Sequence, residues 1–243
     1  MLVGAMTAAM VTGCGSSADT SASTDAAAED TAADAEATED TAEAAEDTAA
    51  DAKSDLAYVK EKGTLVVGIT EFEPMDYKDE NGEWIGFDAD MAKAFAESLG
   101  VTAEFQVIDW DNKILELEGK TIDCVWNGMT LTDEVTSAME CTNAYLNNAQ
   151  VVVVPADVAD QYQDEDSLKD LSFAVEAGSA GEAEVSALGL NYTPVSSQAD
   201  ALMEVASKSS DAAVIDSLMA GAMIGEGTGY ADLTYTIGLR RYR

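Results

Sequence analysis

A chain of 243 residues with 47 acidic and 12 basic side chains carries a net charge of −35, and that balance argues against two broad classes of partner. No basic surface exists to neutralise nucleic-acid phosphates, and adhesion to anionic lipid headgroups through charge fails for the same reason. Histidine is absent, which removes the commonest general base and the commonest transition-metal ligand, so neither a metal site nor a cofactor is expected.

In chain order, the first feature is an apolar stretch of small residues, Leu2 to Val11. It is too short to span a bilayer but suits the hydrophobic region of a signal peptide. It ends in Val11-Thr12-Gly13-Cys14, which resembles a bacterial lipobox, where small residues precede a cysteine that is acylated and becomes the mature N-terminus. Residues 1–14 are therefore expected to be a signal peptide with Cys14 as the lipidation site. No Lys or Arg precedes the apolar stretch; a start codon placed too late would account for that. Residues 15–55 hold thirteen acids and one lysine among Ala, Ser and Thr. With no large apolar side chain to offset the entropy of ordering, they are expected to be a disordered, self-repelling tether. As a flexible coil it would reach on the order of 35 Å.

From residue 56 onward, strand-like and helix-like segments alternate. "TLVVGI" (64–69) is a β-branched strand, and Asn81-Gly82 signals a hairpin before "GEWIGF". "DADMAKAFAESLG" reads as a helix capped by Asp88, with Met91, Phe95 and Leu99 on its buried face and Gly100 ending it. Strand "AEFQVI", helix "NKILELEG" and strand "TIDCVW" follow, then a polar exit, "WNGMTLTDEV", and a short helix capped by Thr132. "AQVVVVP" is a buried strand. A second series follows: strand "LSFAVEA", helix "SAGEAEVSAL", strand "YTPV", helix "SQADALMEVASK", strand "DAAVID", helix "SLMAGAMIG" and strand "LTYTIG".

Such alternation predicts an α/β fold with parallel or mixed sheets and helical crossovers, in two lobes at 56–152 and 153–237. In open α/β sheets ligands sit beyond the carboxyl ends of strands. Asn127 to Thr132, Gly178-Ser179 and Asp216 all fall at such ends. Cys124 and Cys141 sit among apolar neighbours and are expected to be unpaired.

Turnover has no support in the residues. "AGSAGE" is not a nucleophile elbow, and without histidine its usual base is missing. "GEGTGY" lacks both the phosphate-loop lysine and the dinucleotide spacing. The aspartates of "DWD" (109–111) and "DAD" (88–90) read as helix caps rather than metal ligands.

Residues 64–237 resemble the extracytoplasmic substrate-binding proteins of polar amino-acid ABC importers, of the bacterial family 3 type. The segments that carry the resemblance are "GTLVVGITEFEPMDYKDENGEWIGFDADMAKAFAESLG", "GKTIDCVWNGMTLTDE" and "SDAAVIDSLMAGAMI". It implies the two-lobed type II periplasmic-binding-protein fold, closing over one ligand by hinge bending. It also implies a monomer that delivers its solute to a membrane permease with its ATPase. The lipobox adds an extracytoplasmic location, with the chain held to the cell membrane by lipid as in Gram-positive members.

Carried over residue by residue, Phe72 and Trp110 match positions that stack on or enclose the ligand side chain, or else form plain core. Asn127, Gly128 and Thr130 match the segment whose backbone and hydroxyls meet the ligand's charged groups. Ser179 matches a carboxylate contact at a helix start. Asp216 matches the aspartate that receives the ligand ammonium, with a helix cap as its other reading. The family's carboxylate-clamping arginine is replaced by Val135, and no arginine occurs before Arg240. Valine cannot replace a bidentate fork. Either backbone amides, Thr130, Thr132 and a lysine hold the carboxylate, or the ligand lacks one. After "YTIG" the family returns to the first lobe, whereas "LRRYR" reads as a truncated or frameshifted return at 238–243. Two rivals stand beside this reading: a ligand-sensing domain of the same fold, and an enzyme of the cyclohexadienyl dehydratase kind.

Overall fold

The computed structural model describes residues 54–242; the expected signal peptide, Cys14 and all but the end of the expected tether lie outside them. The chain enters through α1 (Asp55–Lys62), whose N-cap Ser54 accepts a hydrogen bond from the Ala57 amide. The first lobe is built on three parallel strands in the order β4-β1-β5 (β1, Thr64–Ile69; β4, Thr102–Val107; β5, Cys124–Val125). A short hairpin with strands of two residues each, β2 (Tyr77–Lys78) and β3 (Trp84–Ile85), stands outside that sheet. Its turn is held by Asp79, whose carboxylate accepts from the amides of Asn81 and Glu83 at 2.8 and 2.9 Å. The helices of this lobe are α2 (Phe87–Leu99), α3 (Lys113–Glu118) and α4 (Asp133–Ala138).

The second lobe is a five-stranded mixed sheet in the order β10-β6-β9-β7-β8. Its strands are β6 (Asn148–Pro155), β7 (Ser172–Glu176), β8 (Asn191–Val195), β9 (Ala212–Asp216) and β10 (Leu233–Tyr242). β7 runs parallel to β8 and β9, while β6 is antiparallel to β9 and β10. Helices α5 (Ala180–Ala187), α6 (Gln198–Ala206) and α7 (Ser217–Met223) complete it. β6 is apolar on both faces because both faces are covered. Val151 and Val153 pack with Ala174, Leu202, Ile215 and Met219, and the alternate pair Val152 and Val154 packs with Phe173, Val175 and Val185. Each such side chain, fully removed from water, contributes roughly 1.5–3 kcal/mol.

Four expectations need correction. Asp88 does not cap α2: the cap position is Gly86, which makes no side-chain cap bond, and Asp88 is buried inside the first turn. The buried face of α2 is Ala89, Ala92 and Ala96, whereas Met91 and Phe95 are 46% and 45% exposed. Small side chains let this helix approach the sheet closely, and Phe95 instead packs edge-on against Trp126 at 5.9 Å. The boundary expected at 152/153 falls inside β6, and β6 pairs only in the second sheet, with β9 and β10. Finally, the last strand continues through the arginine-rich stretch: Arg240, Arg241 and Tyr242 pair with Gln150, Ala149 and Asn148, after register shifts on either side of Gly238. β6 is long enough to template that extension. Cys124 and Cys141 are both free; burial pushes the Cys124 thiol up to about 12, which leaves it protonated at neutral pH.

Candidate functional site

The carboxyl ends of β1, β5, β7 and β9 face one cavity of about 310 Å3, and all eight residues singled out in the sequence line it. On the first-lobe side stand Phe72, Trp110 and the segment from Asn127 to Thr132; on the second-lobe side stand Ser179 and Asp216. Phe72 and Trp110 are 3% and 8% exposed. Phe72 also packs into the cluster around Val151 and Ile215. The two readings of Phe72, core and cavity wall, therefore describe the same side chain.

The segment from Asn127 to Thr132 is tied down by hydrogen bonds, and part of it is already committed. Asn127 is buried, and its side chain is fully engaged. Its Oδ1 accepts from the amide and hydroxyl of Thr70, both at 2.9 Å, while Nδ2 donates to the Thr70 carbonyl at 3.0 Å and to Asp76 at 2.7 Å. The Gly128 amide donates to Asp88, whose carboxylate also accepts from the Tyr145 hydroxyl at 2.9 Å. Asp88 is thus not a cap: it fixes the loop from behind. The local sequence could not show this, because the partners lie 40 and 57 positions away. Thr132 caps α4 by accepting from the Val135 amide at 3.2 Å, as expected, which leaves its hydroxyl proton available to a ligand.

Gly128 has φ +59°, and a Cβ there would stand 2.7 Å from the Phe72 ring. Gly128→Ala should cost about 1–2 kcal/mol from the left-handed backbone alone. Displacement of Phe72 should add a measurable loss of ligand affinity. A melting curve and a binding isotherm check both parts.

On the opposite wall, Ser179 caps α5, its Oγ accepting from the Glu182 amide at 3.1 Å, while Glu182 accepts in return from the Gly178 amide at 2.7 Å. This reciprocal pairing resembles a capping box and fixes the start of the helix. Asp216 occupies the cap position of α7 but makes no side-chain cap bond, so the cap reading does not describe its carboxylate. It instead accepts from three amides, those of Asn148, Gln150 and Gln198, the Gln150 bond being 2.8 Å. The Asp216 amide donates to Gln198 Oε1 at 2.8 Å. Burial raises its pKa, and the three amides pull the other way.

Three further lining residues are buried and carry charge or order it, and none was singled out in the sequence: Lys113, Glu176 and Gln198. Lys113 is 5% exposed. Its ammonium donates to the carbonyls of Trp110 at 3.2 Å and Gly178 at 2.8 Å, and lies 5.1 Å from the centre of the Trp110 ring. It therefore ties the first lobe to the turn after β7. Burial lowers its pKa, opposed by Glu134, Asp111, Glu176 and Glu182. Glu176, the last residue of β7, is 2% exposed, and burial with the nearby Asp216 raises its carboxyl to about 8. The cavity thus has an ammonium on one wall and buried carboxyls on the other, an arrangement complementary to a small zwitterion.

Comparison with known proteins agrees with this architecture. The model of the bacterial extracellular solute-binding proteins, family 3, matches residues 65–219. The arginine-binding extracellular protein ArtP of Bacillus subtilis is 30% identical over 167 residues, covering 65% of this chain and 63% of that protein. The cyclohexadienyl dehydratase of Pseudomonas aeruginosa is 32% identical over only 83 residues, covering 34% of this chain and 31% of the enzyme. The chain thus spans less than two thirds of these curated relatives. Among solved structures, holo ArgBP from T. maritima superposes with a TM-score of 0.71 at 32% identity, covering 76% of this chain and 82% of that one.

Proposed function

The chain belongs to the bacterial extracellular solute-binding proteins, family 3, and from that membership and the charged cleft we propose that it captures a polar amino acid and hands it to an ABC importer. It does so outside the cytoplasm, held to the membrane by a lipid on Cys14. Permease, ATPase and lipid anchor follow from the family resemblance and the lipobox. The single observation that carries the binding role is the placement of Lys113 and Asp216 on opposite walls of one cavity. Lys113 supplies the positive charge that Val135 lacks, with Ser179 and Thr132 adding hydroxyls beside it. A carboxylate is then held by one ammonium and neutral donors, and the carboxylate-free alternative is not needed.

A thermal-shift screen of the full chain against the L-amino acids tests this, with L-arginine first because ArtP is named for it. A solute at a hundred times its Kd should add roughly 2.7 kcal/mol of stability. No shift with any of them would remove the amino-acid reading. Lys113→Met, which keeps the apolar stem, should weaken a carboxylate-bearing solute by roughly tenfold to a hundredfold. The same change should leave a simple amine unaffected in a calorimetric titration.

A second reading, an enzyme of the cyclohexadienyl dehydratase kind, is favoured by one observation. Glu176, raised to about 8, is a protonated carboxyl at neutral pH inside the cleft. Turnover of prephenate by the purified chain would establish that reading. Without turnover, Glu176 is a binding group.

A further inference from the structure

Among the described residues, Glu176 is the one buried cavity-lining carboxyl with an unpartnered oxygen. It is 2% exposed, and its Oε1 has no hydrogen-bond partner. A buried carboxyl oxygen without a partner costs on the order of 1–3 kcal/mol, so the position is unfavourable unless something arrives to complete it. Asp216 closes the neighbouring strand β9 and lines the same cavity. Gln198 serves both, donating to Asp216 and hydrogen bonding to Glu176. An ammonium carries three donors in tetrahedral array, more than Asp216 can receive, since its oxygens already accept three amide bonds.

We propose that Glu176 is a second ligand-binding carboxyl, sharing the solute's ammonium with Asp216 at the carboxyl ends of β7 and β9. This rests on the amino-acid reading above and deepens it by adding a residue and a proton. The charged groups acting on Glu176 are Asp216, which raises its pKa, and Lys113 on α3, which lowers it; Thr70 and Gln198 contribute neutral hydrogen bonds. In the empty cleft the group is a neutral acid below about 8. The arriving ammonium stabilises the carboxylate, so the Glu176 O–H bond breaks and its proton leaves to solvent as the ammonium hydrogen bond forms. No electrons are transferred. Binding at neutral pH therefore releases a proton, and affinity rises with pH up to the pKa of the empty site.

The test is calorimetric titration of the full chain with L-arginine, L-histidine and L-cystine at pH 7, in phosphate and in Tris, whose ionisation enthalpies differ. A bound solute should release between half a proton and one proton. Its affinity should climb toward tenfold per unit between pH 6 and 8. Glu176→Gln, which keeps the shape of the neutral acid, should still bind through Asp216 but release no proton and show a flat pH profile. Release that persists in Glu176→Gln, or a flat profile in the unmodified chain, overturns this inference alone. No binding by any of the three solutes overturns it together with the amino-acid reading.

Discussion

Asp216→Asn is expected to weaken an amine-bearing solute by two to three orders of magnitude while leaving the melting temperature nearly unchanged. The carboxylate sits at 6% exposure with amides of Asn148, Gln150 and Gln198 already arranged around it. These dipoles hold the negative charge before any ligand arrives, so little reorganisation is needed when an ammonium binds. Removing one partner of a buried charge pair typically costs 3–5 kcal/mol, because the other charge is left without compensation, and each 1.4 kcal/mol is about tenfold in Kd. Stability changes less because two effects oppose one another. Asparagine no longer carries a charge to be desolvated, but its amide group must face at least one neighbouring amide donor. Alanine would be a poorer test, since it leaves the buried amides of Gln150 and Gln198 without this partner, at about 1–3 kcal/mol each. Calorimetric Kd values beside melting curves separate the effects. An affinity loss below tenfold would mean that Asp216 is structural and the ammonium lies elsewhere.

The sequence disclosed the strands well, and for a physical reason: short β-branched runs such as "TLVVGI" and "AQVVVVP" carry their own signal of two-sided burial. It also placed Asn127 to Thr132, Ser179 and Asp216 at strand ends, and the family resemblance added Phe72 and Trp110; the fold brings all of them to one cavity. Missing were single polar residues whose meaning lies in distant partners. Lys113 meets the Gly178 carbonyl 65 positions away, and Asp88 meets Tyr145 across 57. No local pattern marks either one. Glu176 ends a strand as any solvated acid might, and only its burial gives it a role. The face of α2 misled for a different reason. The large apolar side chains Met91 and Phe95 suggest the core, yet close packing against the sheet selects Ala89, Ala92 and Ala96. At Asn127 the type of residue was informative but its use was not, since its side chain is spent on Thr70 and Asp76.

Stability without ligand is expected to fall as pH rises from about 5 to 8, opposite to the usual behaviour of a protein whose carboxylates are paired. Asp76 is raised to about 7 and Glu176 to about 8, in each case chiefly by burial, with a neighbouring carboxylate adding to the effect. Both folded values lie above the ordinary values of 3.8 and 4.5 that the unfolded chain shows. Below about pH 3 both states are protonated, and these groups cost nothing. Between there and 7 to 8 the unfolded chain has lost protons that the folded chain still holds. Folding must then take up protons from an increasingly dilute supply. Stability therefore declines by up to about 1.4 kcal/mol per pH unit for each group, and the decline ends once both groups have ionised in the folded state. Self-repulsion from the net charge of −35 acts in the same direction. At about 2–4 °C per kcal/mol for a domain of this size, the two buried groups together should lower the melting temperature by roughly 12–24 °C between pH 5 and 8. High salt would remove the self-repulsion and leave the buried-group part. Glu176→Gln together with Asp76→Asn should flatten most of that remainder, with the asparagine oxygen at 76 still able to accept from Asn127. A double variant with an unchanged slope would assign the effect to the surface charge instead.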